Sequence, residues 1–199
     1  TPGWLNAQSF VSIQTAIDAL PATGGVVYVP AGTYVITNTI TIPKEKHVHL
    51  LGDGPKSTII SCTDPAKDML WIKGDYSTIE DLTLQGPGTG GSGRGIVIGM
   101  LSADNPTDII RRVAVIGCRV INTAAWALYI LGLDDTGASA LTTFIWGHFE
   151  RTDFMSNAAR TSPPAPGLGL VWIGKGNNAM KFLNSSFTSF RGLALGAEL

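Results

Sequence analysis

The chain has 199 residues, with 14 Lys and Arg against 15 Asp and Glu, for a formal net charge of −1. Phosphate backbones and anionic membranes are met by clustered Lys and Arg, which this balance does not provide, so nucleic acid and membrane are both excluded as expected partners. No run of about 18 apolar residues is present, which argues against a membrane span.

The 199 residues suffice for one domain with a substantial core. The 24 Gly and 11 Pro beside many short Val/Ile/Thr runs fit an all-β chain with many turns. Charged residues make up only 15%, low for an ordinary solvated surface, so another chain is expected to cover part of the flank. The first residues, "TPGW", carry neither Met nor a charged-then-apolar leader, so any targeting segment is expected to have been removed or to lie upstream.

In chain order, the first element is a helix. In "SFVSIQTAIDALP" the residues Phe10, Ile13, Ile17 and Leu20 fall at helical spacing, with Ser9 as expected N-cap and Pro21 and Gly24 as the stop. Next comes "GGVVYVPAGTYVI", Gly24 to Ile36, a strand, a turn and a second strand without the Asn-Gly or Asp-Gly of a tight hairpin. Short strand-like runs then follow almost to the end of the chain, none longer than about a dozen residues.

A repeat organises these runs. Leu50, Leu84, Val120, Phe154 and Phe187 are separated by 34, 36, 34 and 33 residues. They are expected to form one inward stack, each unit burying its apolar face against its neighbours. A second ladder is expected at Ile59 and Ile60, Ile96 and Ile98, Leu128 and Ile130, Val171 and Ile173, and Leu193 and Leu195. Each period therefore holds at least two strands. Helical repeats are excluded because Gly, Pro and β-branched residues interrupt every candidate helix.

Strands that turn without pairing to their sequence neighbour must pair with the equivalent strand one coil on, about 4.8 Å away. The expectation is an all-β, single-stranded right-handed parallel β-helix with a short N-terminal capping α-helix. Residues 1–22 form the N-terminal segment and cap, and residues 23–199 one continuous β-helix of five to six coils. Cys62 and Cys118 lie far apart in apolar runs and are expected to be buried thiols. "QGPGTGGSGRG", Gln85 to Gly95, lacks the Gly-Lys-Ser/Thr ending of a phosphate loop and is expected to be a flexible turn insertion.

"IQTAIDALPATGGVVYVPAGTYVIT" followed by "VHLLGDGPKSTII" resembles the opening of pectate-lyase-like right-handed β-helix proteins. That superfamily includes pectate lyases, polygalacturonases, alginate epimerases and bacteriophage tailspikes. The resemblance covers residues 9 to about 61, and the later coils match it in rhythm. It implies an extracellular or virion-associated protein that handles acidic or complex polysaccharide, and tailspikes among the relatives imply a homotrimer. Of the polygalacturonase motifs the chain carries only "LDDTG" and "WGHFER", without Asn-Thr-Asp or Arg-x-Lys. No set of Asp ligands for calcium is present, so no metal or other cofactor is expected.

Glycoside hydrolysis needs two carboxyls flanking one bond. The expected catalytic cluster is Asp134, Asp135 and Glu150, with His148 as proton carrier. Asp134 and Asp135 in "DDTG" also fit a turn, and His148 beside Phe149 also fits a structural histidine. The repeat places Arg119 and Asp153 on neighbouring coils, where they form either a surface salt bridge or, with Arg151, a grip on a sugar carboxylate. Trp71, Trp126, Trp146 and Trp172 lie in or beside strand runs and are expected to stack on sugar rings or to fill core and interface, with Trp146 and Trp172 taken as the substrate-binding pair.

Two functions follow. One is a polysaccharide-recognising β-helix of a phage tailspike or secreted carbohydrate-active protein, depolymerising as a lyase or glycoside hydrolase. The alternative is a structural or adhesive β-helix on a virion or cell surface with no active site.

Overall fold

The computed structural model describes residues 3–88, 90–101, 104, 109–132, 144–156, 170–174, 177–189 and 195–197. The chain winds through coils of three strands each, the first-sheet strand of the fourth coil being broken in two. The first coil has β2 (Gly24–Val29), β3 (Gly32–Ile36) and β4 (Ile40–Ile42), after a short β1 (Trp4–Asn6). The second has β5 (His47–Gly52), β6 (Thr58–Cys62) and β7 (Leu70–Ile72), and the third β8 (Thr78–Glu80), β9 (Thr83–Gln85) and β10 (Ile96–Ile98). The fourth opens with β11 (Ile110–Arg111) and continues through β12 (Ala114–Ile116), β13 (Arg119–Thr123) and β14 (Leu128–Ile130). The fifth has β15 (Phe144–Glu150), β16 (Asp153–Ser156) and β17 (Val171–Ile173). The sixth has β18 (Asn178–Leu183), β19 (Ser186–Ser189) and β20 (Leu195–Ala197).

Like strands of successive coils pair in parallel, producing three sheets that run the length of the molecule. This is a single-stranded right-handed parallel β-helix, wound in the sense that parallel crossovers adopt. In the first sheet Val27, Leu50, Ile79, Val115, Phe149 and Phe182 stack in register. In the second the stack is Tyr34, Ile60, Leu84, Val120, Phe154 and Phe187. In the third, Ile40, Leu70, Ile96, Leu128 and Val171 pair in turn. All but Phe187 fill or flank one continuous core, with Leu50, Ile60, Leu84, Val120, Phe149 and Phe154 fully buried; Phe187, expected inside, is 38% exposed on the last described coil.

Two details of the expected register are corrected. Leu50 belongs to the first sheet, opposite Ile79, whereas Leu84, Val120, Phe154 and Phe187 share the second, where Ile60 precedes Leu84. Ile59 and Ile60 likewise lie in the second sheet, and the third continues below Ile96 and Ile98 with Leu70 and Ile72. Its last strand pairs Leu195 with Val171, and Leu193 lies outside the described residues.

The helix α1 spans Ile13–Ala19, and its N-cap is Ser12 rather than Ser9. Ser12 and Thr15 form a reciprocal capping box, whereas Ser9 ends a short 3-10 turn, Ala7–Ser9. Ile13, Ala16 and Ile17 are buried, and α1 packs against β2 and β4 to close the apolar end of the first coil. At its other end the Lys46 ammonium, 2.7 to 3.0 Å away, donates to the carbonyls of Ile17, Asp18 and Leu20. Strand β1 adds to the edge of β2, which leaves that edge paired.

Corners are made by left-handed residues. Between the first and second sheets these are Asp81, Gly117, Arg151 and Asn184, with φ from 48° to 62°. On the fourth coil the corner is Gly117, where a Cβ would come within 2.3 Å of Asp81 Oδ1 and push that side chain aside, whereas Asp, Arg and Asn hold the same backbone on other coils. A second column stands two residues before the paired His49, Thr78, Ala114, His148 and Lys181 of the first sheet. It comprises His47, Tyr76, Arg112, Trp146 and Ala179, the last four at φ 52° to 66°.

Both cysteines are free and buried. Burial pushes the Cys118 thiol up to about 12 and raises Cys62 as well.

Candidate functional site

The outward positions of the third sheet form an aromatic column. Successive strands pair Thr41 with Trp71, Trp71 with Val97, Val97 with Tyr129, and Tyr129 with Trp172. Alternation along each strand puts the aliphatic partners inside and these residues on the opposite face, where Val97 is itself buried with Leu131 against Trp71, Leu101 and Tyr129, and Trp71, Tyr129 and Trp172 are partly exposed. Tyr129 and Trp172 stack at 6.1 Å with planes 15° apart, and Trp126 packs beside both. Trp71 Nε1 donates to the Gly99 carbonyl at 2.7 Å, fixing the ring against the coil.

Cations edge this column. The Arg94 guanidinium lies 4.6 Å from the Tyr129 ring centre and 5.9 Å from that of Trp71, and is held by two hydrogen bonds to the Asp68 carboxylate at 3.0 and 2.8 Å. The glycine-rich turn before it delivers Arg94. Gly93 N–H bonds to Pro65 O, and a Cβ on Gly93 would come within 2.3 Å of Lys67 O, so the turn lies flat on the coil below. Lys73 Nζ sits 4.9 Å from the Trp71 ring centre and 2.6 Å from Asp104 Oδ1. A cavity of about 180 Å³ adjoins them, lined by Thr41, Pro43, Lys44, Glu45, Lys73 and Asp104. Burial raises the Asp104 carboxyl, but the Lys73 hydrogen bond, the Leu101 N–H and the charges of Lys73 and Lys44 outweigh it and hold the group below its ordinary value.

The residues expected from sequence are distributed over other faces. His148 and Glu150 project from the outer face of the first sheet, with His148 Nε2 2.9 Å from Glu150 Oε2, and Arg151 follows at the corner, 3.4 Å from Glu150 Oε1. The His148 hydrogen bond, chiefly, lowers the Glu150 carboxyl, opposed by burial and assisted by the charges of Arg151, His148 and Lys181. Two coils below in the same column stands Glu80, itself bonded to His49 at 2.8 Å. Two coil rises separate these backbones by about 10 Å.

Arg119 and Asp153 are directly paired on the second sheet, 3.7 Å apart, and Ser186 also bonds Asp153. Trp146 lies within β15 of the first sheet, at a left-handed kink, and Trp172 on the third sheet. Asp134 and Asp135 lie outside the described residues. Trp71 stands in the sequence as one tryptophan among several; what links it to Tyr129 and Trp172 is an aromatic between two aliphatics in "LWI", "LYI" and "VWI", while nothing there brings Lys73 and Arg94 beside it. Among the described residues no cluster of three His, Cys, Asp or Glu is placed to hold a metal ion.

Three stacked parallel sheets under an N-terminal helical cap define the class: a right-handed parallel β-helix. Residues 8–81 match the family model described as rhamnogalacturonase A/epimerase, pectate lyase-like. A solved structure titled "Geobacillus virus E2 - ORF18" is similar at 19% identity and a TM-score of 0.45, over 94% of this chain and 53% of that one. The chain thus spans about half the length of that phage protein. No curated protein matches.

Proposed function

We propose that the chain recognises an acidic polysaccharide along the outer face of the third sheet, as the β-helix of a phage tailspike or secreted carbohydrate-active protein. The observation that carries this reading is the Trp71–Tyr129–Trp172 column flanked by Arg94 and Lys73. Aromatic faces suit the apolar C–H faces of sugar rings, and guanidinium and ammonium groups suit carboxylates.

Cleavage asks for more. A general acid needs a raised pKa, whereas Glu150 is lowered, so Glu150 suits a base or nucleophile and the proton donor falls to Asp134 or Asp135. Arg119, Arg151 and Asp153 contribute substrate contacts on this reading only where a long polymer wraps beyond the third sheet. The engagement of both Glu80 and Glu150 by histidines favours the second reading, an adhesive or structural β-helix without an active site. Low surface charge supports assembly as a homotrimer in an extracellular or virion setting. Sedimentation equilibrium of the 21.0 kDa chain tests it.

The test of recognition is affinity electrophoresis through gels containing acidic polysaccharides, alongside assays for reducing ends and for the ultraviolet absorbance of unsaturated uronides. Retardation that falls at least tenfold in Trp71→Ala supports the reading. Retardation unchanged in Trp71→Ala overturns the assignment to this face. Retardation without product release selects the adhesive form.

A further inference from the structure

A separate column of side chains stands at a kink in the first sheet, where Arg112 separates β11 from β12 and Trp146 lies within β15. Tyr76, Arg112 and Trp146 follow one another on three successive coils, with His47 below them, and all four are exposed. His47 meets Tyr76 edge to face at 5.4 Å. The Arg112 guanidinium lies between two rings, 5.9 Å from the centre of Tyr76 and 5.1 Å from that of Trp146. Tyr76 and Trp146 are each about half exposed, at 50% and 51%.

Two facts distinguish this column from an incidental surface. Tyr76, Arg112 and Trp146 all hold the left-handed backbone that bulky residues avoid, at φ 52°, 53° and 66°. The same position on the end coils carries Gly24 and Ala179. Small residues therefore satisfy the kink, and the large ones in the middle are retained against backbone strain, which points to a role for their side chains. Second, Arg112 makes no hydrogen bond or ion pair among the described residues. The carboxylate nearest in sequence to Tyr76, that of Asp75, is taken by the Arg111 N–H and guanidinium at 2.8 and 3.2 Å. Glu150 is likewise taken by His148 and Arg151. Among the described residues the fork of Arg112 is thus an unneutralised cation flanked by two aromatic faces.

We propose that Tyr76, Arg112 and Trp146 form a second glycan site, in which Arg112 takes the carboxylate of a uronate-type sugar and the two rings flank the sugar. Three coil rises from His47 to Trp146 make a strip about 14 Å long, enough for a short oligosaccharide lying along the axis. The site rests on the reading of the chain as an acidic-glycan binder, but uses a different face from the Trp71 column.

Hydroxyl-radical footprinting, which reads side-chain protection residue by residue, separates the two. The probes are uronate oligosaccharides prepared from polygalacturonate, alginate and hyaluronate, each with its carboxyl-reduced counterpart. At least one acidic probe is expected to protect Tyr76 and Trp146, and its reduced form to protect neither. Arg112→Asn keeps a residue that tolerates the left-handed backbone and is expected to fold. It should abolish protection at Trp146, weaken affinity there at least tenfold, and leave protection at Trp71 and Trp172 unchanged. Protection at Trp71 alone overturns the second site while leaving the proposed function standing. Equal protection by a reduced probe overturns the role of Arg112. Absence of protection at either face with every probe overturns both. Trp146 protected without any glycan, together with a mass above one subunit, makes the column a subunit contact and also overturns the site.

Discussion

Ala179 holds a left-handed backbone at φ 55° with an exposed methyl group. That conformation costs an L-residue roughly 1 to 2 kcal/mol, and glycine's greater unfolded-state freedom returns part of any relief. Ala179→Gly is therefore expected to raise stability by about 0.5 to 1 kcal/mol in urea unfolding; a lower midpoint would contradict the assigned backbone. Glu150 offers a pH test. Its carboxyl is lowered in the folded chain, first by the His148 hydrogen bond, so the interaction stabilises the fold above the ordinary carboxylate range and is lost as pH falls through the lower folded value. His148→Ala should move the Glu150 titration upward in carboxyl carbon NMR, and an unmoved midpoint would reassign the cause. Little of this was legible in the sequence. His148 and Glu150 could be chosen as chemically able residues, but nothing in "WGHFER" shows which way each points or that Arg151 occupies a corner.

The capping helix is the element the sequence describes best, since its spacing names Ile13, Ile17 and Leu20 as the face that covers the first coil. Ser9 and Ser12 are both acceptable N-caps by residue type, and only Thr15, three residues after Ser12, decides for Ser12. Invisible from sequence is Lys46, whose ammonium ties three carbonyls of the helix end to the second coil. Lys46→Met keeps most of the stem and removes these charge-assisted bonds, and should cost about 1 to 2 kcal/mol. Hydrogen exchange should show the loss concentrated in α1. A uniform loss along the molecule would instead mean that the cap and the coils unfold as one unit.

At the scale of the whole molecule, the repeat was legible and its register was not. The first-sheet stack advances by 23 residues from Val27 to Leu50, then by 29, 36, 34 and 33. A constant period therefore carries Leu50 onto Leu84 in another sheet, while holding for the later coils. The aromatic column escapes a fixed period for the same reason: Trp71, Val97, Tyr129 and Trp172 lie 26, 32 and 43 residues apart because the turns differ in length. Phe154 is fully buried and stacks on Phe187 at 5.6 Å, so Phe154→Ala should cost about 3 to 5 kcal/mol in equilibrium unfolding. A loss below about 1 kcal/mol would show that the later coils contribute little to the cooperative unit. The corner residues Asp81, Gly117, Arg151 and Asn184 have a further consequence. Each returns the chain to the same heading one storey higher, so the backbone between two corners is a translation with no net change of direction. Whole storeys are thus interchangeable lengths of gene. Excising residues 117–150 would join Ile116 to Arg151 with every sheet still aligned, whereas excising half as many would face apolar rows outward. This architecture can be lengthened or shortened by recombination in steps of one storey, and by no smaller step.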